Sequence, residues 1–326
     1  LYKIDGKYLL MVAEGGTGFH HAVTAHISDS LWGPYVPLHS NPVMSHRQLG
    51  SDYPIHSVGH ADLIQTPAGD WWAVMLAKRK IDGYSLLARE SFLTPVQIET
   101  QEDWPTPVFN PGEGKLLMQQ ARPDLPWHPW PSVPQRDEFD KPTPSLAWNC
   151  LRSPQTEWYS LSDGMLQLQV RPEMLDSLGN PSYLAQRIEH HQFSAGTKMK
   201  FAPKPNEQAG LVLYRNSTHH LGILLEKGEL IVYETEGGKK TILVQKPWKK
   251  KSVVLKAQSD GLKLQFWAGE KEDKLQMIGP EADLSILADE KAGGFSGPYV
   301  GVYASSQGAA SQNVARFDWF EYQANK

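Results

Sequence analysis

The chain has 326 residues, 40% of them hydrophobic and 10% aromatic, with a formal net charge of -4. That length accommodates two domains with real cores, and the mildly acidic balance carries no basic footprint for a nucleic acid partner. A single cysteine, Cys150, excludes an internal disulfide, and no apolar run approaches the roughly 18 residues that a membrane span requires.

The chain opens inside a strand-like segment, Leu1-Tyr2-Lys3-Ile4, which turns at Asp5-Gly6 and runs on from Lys7-Tyr8 to Ala13-Glu14 before Gly15-Gly16-Thr17. It has neither an initiating Met nor the charged and apolar regions of a leader, so a truncated or processed chain is expected. A second strand is expected across Ser57-Val58-Gly59-His60-Ala61-Asp62. After a Pro67–Gly69 turn follows Asp70-Trp71-Trp72-Ala73-Val74-Met75-Leu76, then Tyr84 to Ser91 with Ala88-Arg89-Glu90. Ten of the 24 prolines fall between Pro105 and Pro144. Proline removes ladder donors and is tolerated in connectors and at edges, so this stretch reads as a stiff linker that can also brace its neighbours.

Beyond it the pattern is again period two. Leu166, Leu168 and Val170 alternate with Gln167 and Gln169, Met199 and Phe201 with Lys198 and Lys200, and Leu262, Leu264 and Phe266 with Lys263 and Gln265. Turn pairs recur at Ala68-Gly69, Asp82-Gly83, Asp163-Gly164, Lys227-Gly228, Gly237-Gly238 and Asp260-Gly261. Many short strands with frequent turns predict an all-β chain built as sandwich, barrel or propeller. The 11 tryptophans suit sugar binding, because flat rings stack on pyranose faces, although most tryptophans are ordinary core residues.

The ordered set Ser57–Asp62, Asp70–Leu76 and Tyr84–Ser91, with the opening Leu1–Thr17, resembles the late propeller blades of family 43 glycoside hydrolases, the β-xylosidases and α-L-arabinofuranosidases. Asp137-Glu138-Phe139-Asp140, Trp148–Arg152, Ala209–Tyr214, Gly297-Pro298-Tyr299-Val300-Gly301 and Phe317–Tyr322 resemble the C-terminal sandwich of the same β-xylosidases. The resemblance implies the last blades of a five-bladed β-propeller over residues 1–120, a Pro-rich connector over 121–135, and a concanavalin-like β-sandwich over 136–326. It further implies an exo-acting, inverting glycosidase for xylan- or arabinan-derived oligosaccharides, without a required cofactor.

Inverting hydrolysis needs a carboxylic acid to protonate the leaving oxygen and a carboxylate to activate water. The resemblance places the acid, the base and a third, pKa-tuning aspartate upstream of Leu1, so no catalytic residue is expected within the chain. Glu14, Asp62 and Glu90 are read structurally, Glu14 at a turn, Asp62 on backbone and Glu90 orienting Arg89. The substrate-binding residues implied are Arg89, a guanidinium fork for sugar hydroxyls; His60, facing the propeller channel; Phe295, on a glycine-rich sandwich loop that walls the pocket; and Thr17, at the rim. His20, His21 and Trp32 are expected to be mostly structural.

His60 is also the residue that would meet a structural Ca2+ ion in the channel through water. The partners implied are the oligosaccharide and the remaining N-terminal blades, in the same or a separate polypeptide, with a homo-oligomer admitted and neither nucleic acid nor membrane involved. Periplasmic, extracellular and cytoplasmic placement stay open. The competing reading is a non-catalytic carbohydrate-binding protein or an inactive fragment.

Overall fold

A computed structural model describes residues 1–101 and 103–325, and it divides into two compact units, Leu1–Pro131 and Ser132–Lys326. The first unit holds two antiparallel sheets. One is built from β1 (Tyr2–Ile4), β2 (Lys7–Glu14), β3 (Ala22–Ser28), β4 (Val36–Pro37) and β5 (Met44–Ser45), with the last two both paired to β3. The other is a four-stranded meander of β6 (Ile55–Gln65), β7 (Trp71–Arg79), β8 (Glu90–Gln101) and β9 (Trp104–Phe109). Asp5-Gly6 joins β1 to β2 with both residues at positive φ (48° and 81°), the two-residue hairpin geometry whose twist matches that of its strands.

The two sheets share one core. Leu9, Val23, Ala25 and Ile27 from the first pack with Ile55, Val58, Ala73, Met75 and Ala77 from the second. Full burial of each larger aliphatic side chain contributes about 1.5–3 kcal/mol. Successive side chains of β7 point to opposite faces, so Ala73, Met75 and Ala77 enter this core while Val74 faces the other way. Val74 lies opposite Leu93 and, with Ile64, leaves an apolar outward face that is exposed.

The second unit is a sandwich of an eight- and a seven-stranded sheet. The first sheet comprises β10 (Arg136–Asp137), β12 (Tyr159–Ser162), β13 (Met165–Gln169), β15 (Phe193–Lys200), β20 (Ser252–Asp260), β21 (Lys263–Gly269), β22 (Gln276–Asp283) and β24 (Val314–Ala324). The second comprises β11 (Asn149–Cys150), β14 (Ser182–Arg187), β16 (Gln208–Asn216), β17 (His219–Glu226), β18 (Glu229–Glu236), β19 (Lys239–Pro247) and β23 (Tyr299–Ser305), in the order β11-β14-β23-β16-β17-β18-β19. Trp158, Phe193, Phe266, Phe317 and Phe320 are its largest fully buried side chains with three tyrosines.

The seven-stranded sheet is covered on both faces. Every residue of β17 is buried, because Leu221, Ile223 and Leu225 face one way while Leu224 joins Tyr183, Val212, Tyr214, Tyr233 and Tyr303 in a second cluster beneath Leu175. Both-face burial replaces the alternation of a half-wet strand with a continuous apolar run. No helix among the described residues is long and apolar enough to cross a membrane; the one α-helix, α1 (Asp289–Ala292), spans a single turn.

Candidate active site

The first unit gathers its polar groups where β6 departs from regular pairing. Its register with β7 breaks between His56 and Gly59 and again between Gly59 and Asp62. Ser57 and His60 adopt left-handed backbone angles, φ 55° and 51°. Such angles cost a residue with a Cβ about 1–2 kcal/mol and persist where surrounding structure enforces them. A bulge of this kind re-aims side chains, and His60 is exposed although Ile55–Gly59 before it are buried.

Gly59 leaves room for a neighbour. A Cβ at this position would come within 2.6 Å of three atoms of the His21 ring, so glycine is required for the imidazole to lie against the strand. His21 is buried, with Nδ1 3.0 Å from the Ser57 carbonyl oxygen. A carbonyl only accepts, so Nδ1 carries the proton of that bond. Burial lowers the His21 pKa, opposed by the bond to Ser57, while the charges of His60, Arg89 and Lys78 lower it further. Each of the three therefore lies within electrostatic range of His21: a neutral, fixed imidazole, with the cations Lys78 and Arg89 and, on the bulge, His60 around it.

Arg89 reaches this cluster from the turn before β8. Ala88 precedes it at φ 56°, and the Ala88 N–H donates to the Ser85 carbonyl at 3.2 Å. This left-handed backbone is one that glycine would adopt without strain. Lys78 is buried on β7 opposite His56. Thr17 is half-buried in the 15–21 loop that delivers His21, a loop closed by His21 N–H donating to the Gly18 carbonyl at 3.0 Å.

The carboxylates read as structural are engaged as follows. The sequence reading has Glu90 orienting Arg89; the structure adds a partner from the adjacent strand, Arg79, which grips Glu90 with Nε–Oε2 at 2.9 Å and Nη2–Oε1 at 2.6 Å. That hydrogen-bonded carboxylate raises the Arg79 pKa against the opposing effect of burial. Asp62 accepts from the Tyr2 hydroxyl at 3.1 Å, and that hydroxyl accepts from Leu63 N–H at 2.8 Å, tying β1 to β6. Glu14 ends β2 exposed. Among the described residues no group of three or more His, Cys, Asp or Glu is arranged to hold a metal ion.

Phe295 belongs to the second unit. It sits between Gly294 and Ser296 in the loop from α1 to β23, with Gly293 and Gly294 at φ 69° and 84°. The base of this loop is held by Arg215, which is buried on β16. Its guanidinium donates to Asp289 Oδ1 at 2.6 Å, to Ser296 Oγ at 2.7 Å and to the Gly293 carbonyl. Asn216 Nδ2 adds a bond to the Ala292 carbonyl at 2.9 Å. The Phe295 ring itself is 57% exposed, a side chain presented by a fixed base.

Sequence reasoning missed Lys78 and Arg215. Lys78 stands with Arg79 at the charged end of an otherwise apolar strand yet is buried, and nothing local marks Arg215. His21, expected to be structural, is buried against Gly59 and bonded to the Ser57 carbonyl. Trp32, also expected to be structural, is 91% exposed after β3 and belongs to no core.

Residues 1–105 match the model for glycosyl hydrolases family 43, and residues 136–323 match the β-xylosidase C-terminal concanavalin A-like domain of that family. The chain belongs to glycosyl hydrolase family 43. It is 34% identical, over 98% of its length, to a non-reducing end α-L-arabinofuranosidase of Bacteroides ovatus, and 35% identical over 98% to a xylosidase/arabinosidase of Butyrivibrio fibrisolvens. It spans 61% and 63% of the length of those curated relatives. Among solved structures, a xylan β-1,4-xylosidase from Bacillus halodurans superposes with a TM-score of 0.90 at 30% identity, covering 99% of this chain and 64% of that one. The family 43 BlXynB protein of Bacillus licheniformis gives 0.91 at 33%, with the same coverage. The two sheets of the first unit are thus blades of the family 43 propeller, and the second unit is its concanavalin-like sandwich.

Proposed function

We propose that this family 43 chain is part of an exo-acting, inverting β-xylosidase or α-L-arabinofuranosidase acting on xylan- or arabinan-derived oligosaccharides, and that its first unit supplies the basic side of the sugar pocket. The observation that carries this reading is the convergence of Arg89 and His60 on a neutral His21 beside buried Lys78, on a β6 strained at Ser57 and His60.

In this reading Arg89 binds the terminal sugar by charge-assisted hydrogen bonds from its guanidinium fork. With Lys78 it also keeps a nearby carboxylate ionised, since an adjacent cation lowers a carboxyl pKa. His60 hydrogen-bonds beneath the sugar and Thr17 lines the rim, while Phe295 is the second unit's candidate substrate-binding residue. The acid and base lie outside residues 1–326, in the same or a separate polypeptide. In an inverting enzyme they stand about 6.5–9.5 Å apart to admit the attacking water. A calcium ion over His60 would be met through water, its oxygen ligands supplied by other groups, and no step depends on it.

The test is the complete enzyme with aryl β-D-xylopyranoside and α-L-arabinofuranoside substrates. Arg89→Ala is expected to lower kcat/KM by about 10²–10³-fold while the melting temperature stays within a few degrees. Wild-type kinetics in that variant would remove Arg89 from the site. A non-catalytic, sugar-binding role is the second reading, favoured by the engagement of Asp62 with Tyr2 and of Glu90 with Arg79. It expects saccharide binding without turnover from the complete protein.

A further inference from the structure

We propose that the outer face of the seven-stranded sheet in the sandwich is a second saccharide site, separate from the pocket of the first unit, that binds a neutral sugar of one or two rings. A cavity of about 250 Å³ lies there, lined by residues of β16, β17, β18 and β23 and by the Met174–Asp176 segment. Three of its side chains are more than nine-tenths buried and yet leave a polar atom without a hydrogen-bond partner: Gln208 Oε1, His220 Nε2 and Thr235 Oγ1. A buried polar atom left unpaired costs about 1–3 kcal/mol, and three in one cavity describe a surface prepared for something that donates and accepts.

The arrangement selects a hydroxylated, uncharged ligand. His220 and Thr235 are cross-strand partners at one end, and Gln208 stands at the other, opposite Glu226. Between them lie Leu224 and the Tyr233 and Tyr303 side chains. Polar ends flanking an apolar middle match a sugar, whose hydroxyl edges flank C–H faces, while the Tyr233 ring below is already covered by Lys240, with Nζ 4.6 Å from its centroid. The His220 ring is held by the Tyr233 hydroxyl, 3.1 Å from Nδ1, and stacks on Tyr214 at 5.9 Å between centroids. Burial, with smaller effects from Lys240 and His219, lowers its pKa to about 4, so at neutral pH Nε2 meets a ligand as part of an uncharged ring. The two charges lining the cavity, Asp176 and Lys240, are of opposite sign. Their near-cancellation disfavours an anion or a cation and leaves hydrogen bonding as the means of recognition.

The test is titration of the 326-residue chain with D-xylose, L-arabinose and xylobiose, read by NMR at the ¹³C-labelled histidine rings. The His220 resonances are expected to shift saturably in the millimolar range. The double variant Gln208→Leu/Thr235→Val should weaken this binding at least tenfold, while Arg89→Ala leaves it unchanged. That last comparison separates this site from the proposed catalytic pocket, whose failure would appear in the kinetics of Arg89→Ala alone. Should the double variant misfold, as seen in its melting curve, Lys240→Ala at the exposed rim replaces it, with a threefold or greater loss expected. Unshifted His220 signals at 50-fold excess of every sugar over protein overturn the proposal, as does equal binding by wild type and the rim or cavity variants. In that case the orphaned atoms hold only buried water.

Discussion

Ala88 and His60 hold the same left-handed backbone for different ends. At His60 the conformation places a ring on the bulge. At Ala88 the methyl group is buried. The backbone strain that Ala88→Gly relieves, about 1 kcal/mol, is therefore offset by about 0.8 kcal/mol of lost burial, and the stability measured by urea denaturation is expected to change by less than about 0.5 kcal/mol. Neither angle was legible from the sequence, because no glycine marks Ser57, His60 or Ala88. His21 was hidden for a related reason: its partner is the space above Gly59, a contact between segments far apart in the chain, whereas Arg89 and His60 lie in motifs that can be read locally. His220 offers a titration. Its folded pKa of about 4 lies below the ordinary value of 6.5, so between the two the unfolded chain takes up a proton that the folded chain refuses. This group's contribution is complete above about pH 6.5 and is lost as pH falls towards 4, a span of about 3 kcal/mol. From pH 7 to 4 the unfolding free energy of wild type should fall by about 3 kcal/mol more than that of His220→Phe.

At the scale of elements, the hairpins were the most legible feature. Asp163-Gly164, Lys227-Gly228 and Gly237-Gly238 each join adjacent strands with both residues at positive φ, as their composition predicts. Strands β16 and β17 were less so, since burial on both faces erases the polar half of a period-two pattern and leaves a run that length alone cannot classify. The Phe295 loop shows how an element can be both fixed and open. Its fixity comes from the buried Arg215–Asp289 pair, whose side chains are 3% and 7% exposed. Replacing one partner of such a pair strands the other charge, so Arg215→Met should cost about 3–5 kcal/mol by denaturant unfolding. Burial lowers the Arg215 pKa and Asp289 opposes it, which identifies desolvation as the larger charge on this arrangement. Phe295→Ala, by contrast, removes a ring outside the core. It is expected to leave unfolding nearly unchanged while raising KM several-fold in the complete enzyme, a separation that a ring tucked into the sandwich would not give.

At the scale of the whole molecule, each unit carries its own core, one from Ile4 to Leu116 and another that includes Trp158, Phe193, Phe266 and Phe317. The outward face of the second propeller sheet distinguishes them. Ile64, Val74 and Leu93 present a row of exposed apolar side chains such as normally meets another surface, and a further blade of the proposed complete propeller would provide it. Val74→Lys with Leu93→Lys should therefore reduce self-association of the 326-residue chain in sedimentation while destabilising the complete enzyme by about 2–5 kcal/mol. If both forms respond alike, no blade covers that face. Arg215, Asp289, Asn216 and the loop that bears Phe295 all belong to the second unit. Recombination between relatives within the proline-rich connector would thus transfer the ring together with its entire mount. A lineage could exchange one version of this loop for another in a single crossover, leaving the propeller's own sequence untouched, so that ring and mount diversify as one inherited part as well as by point substitution.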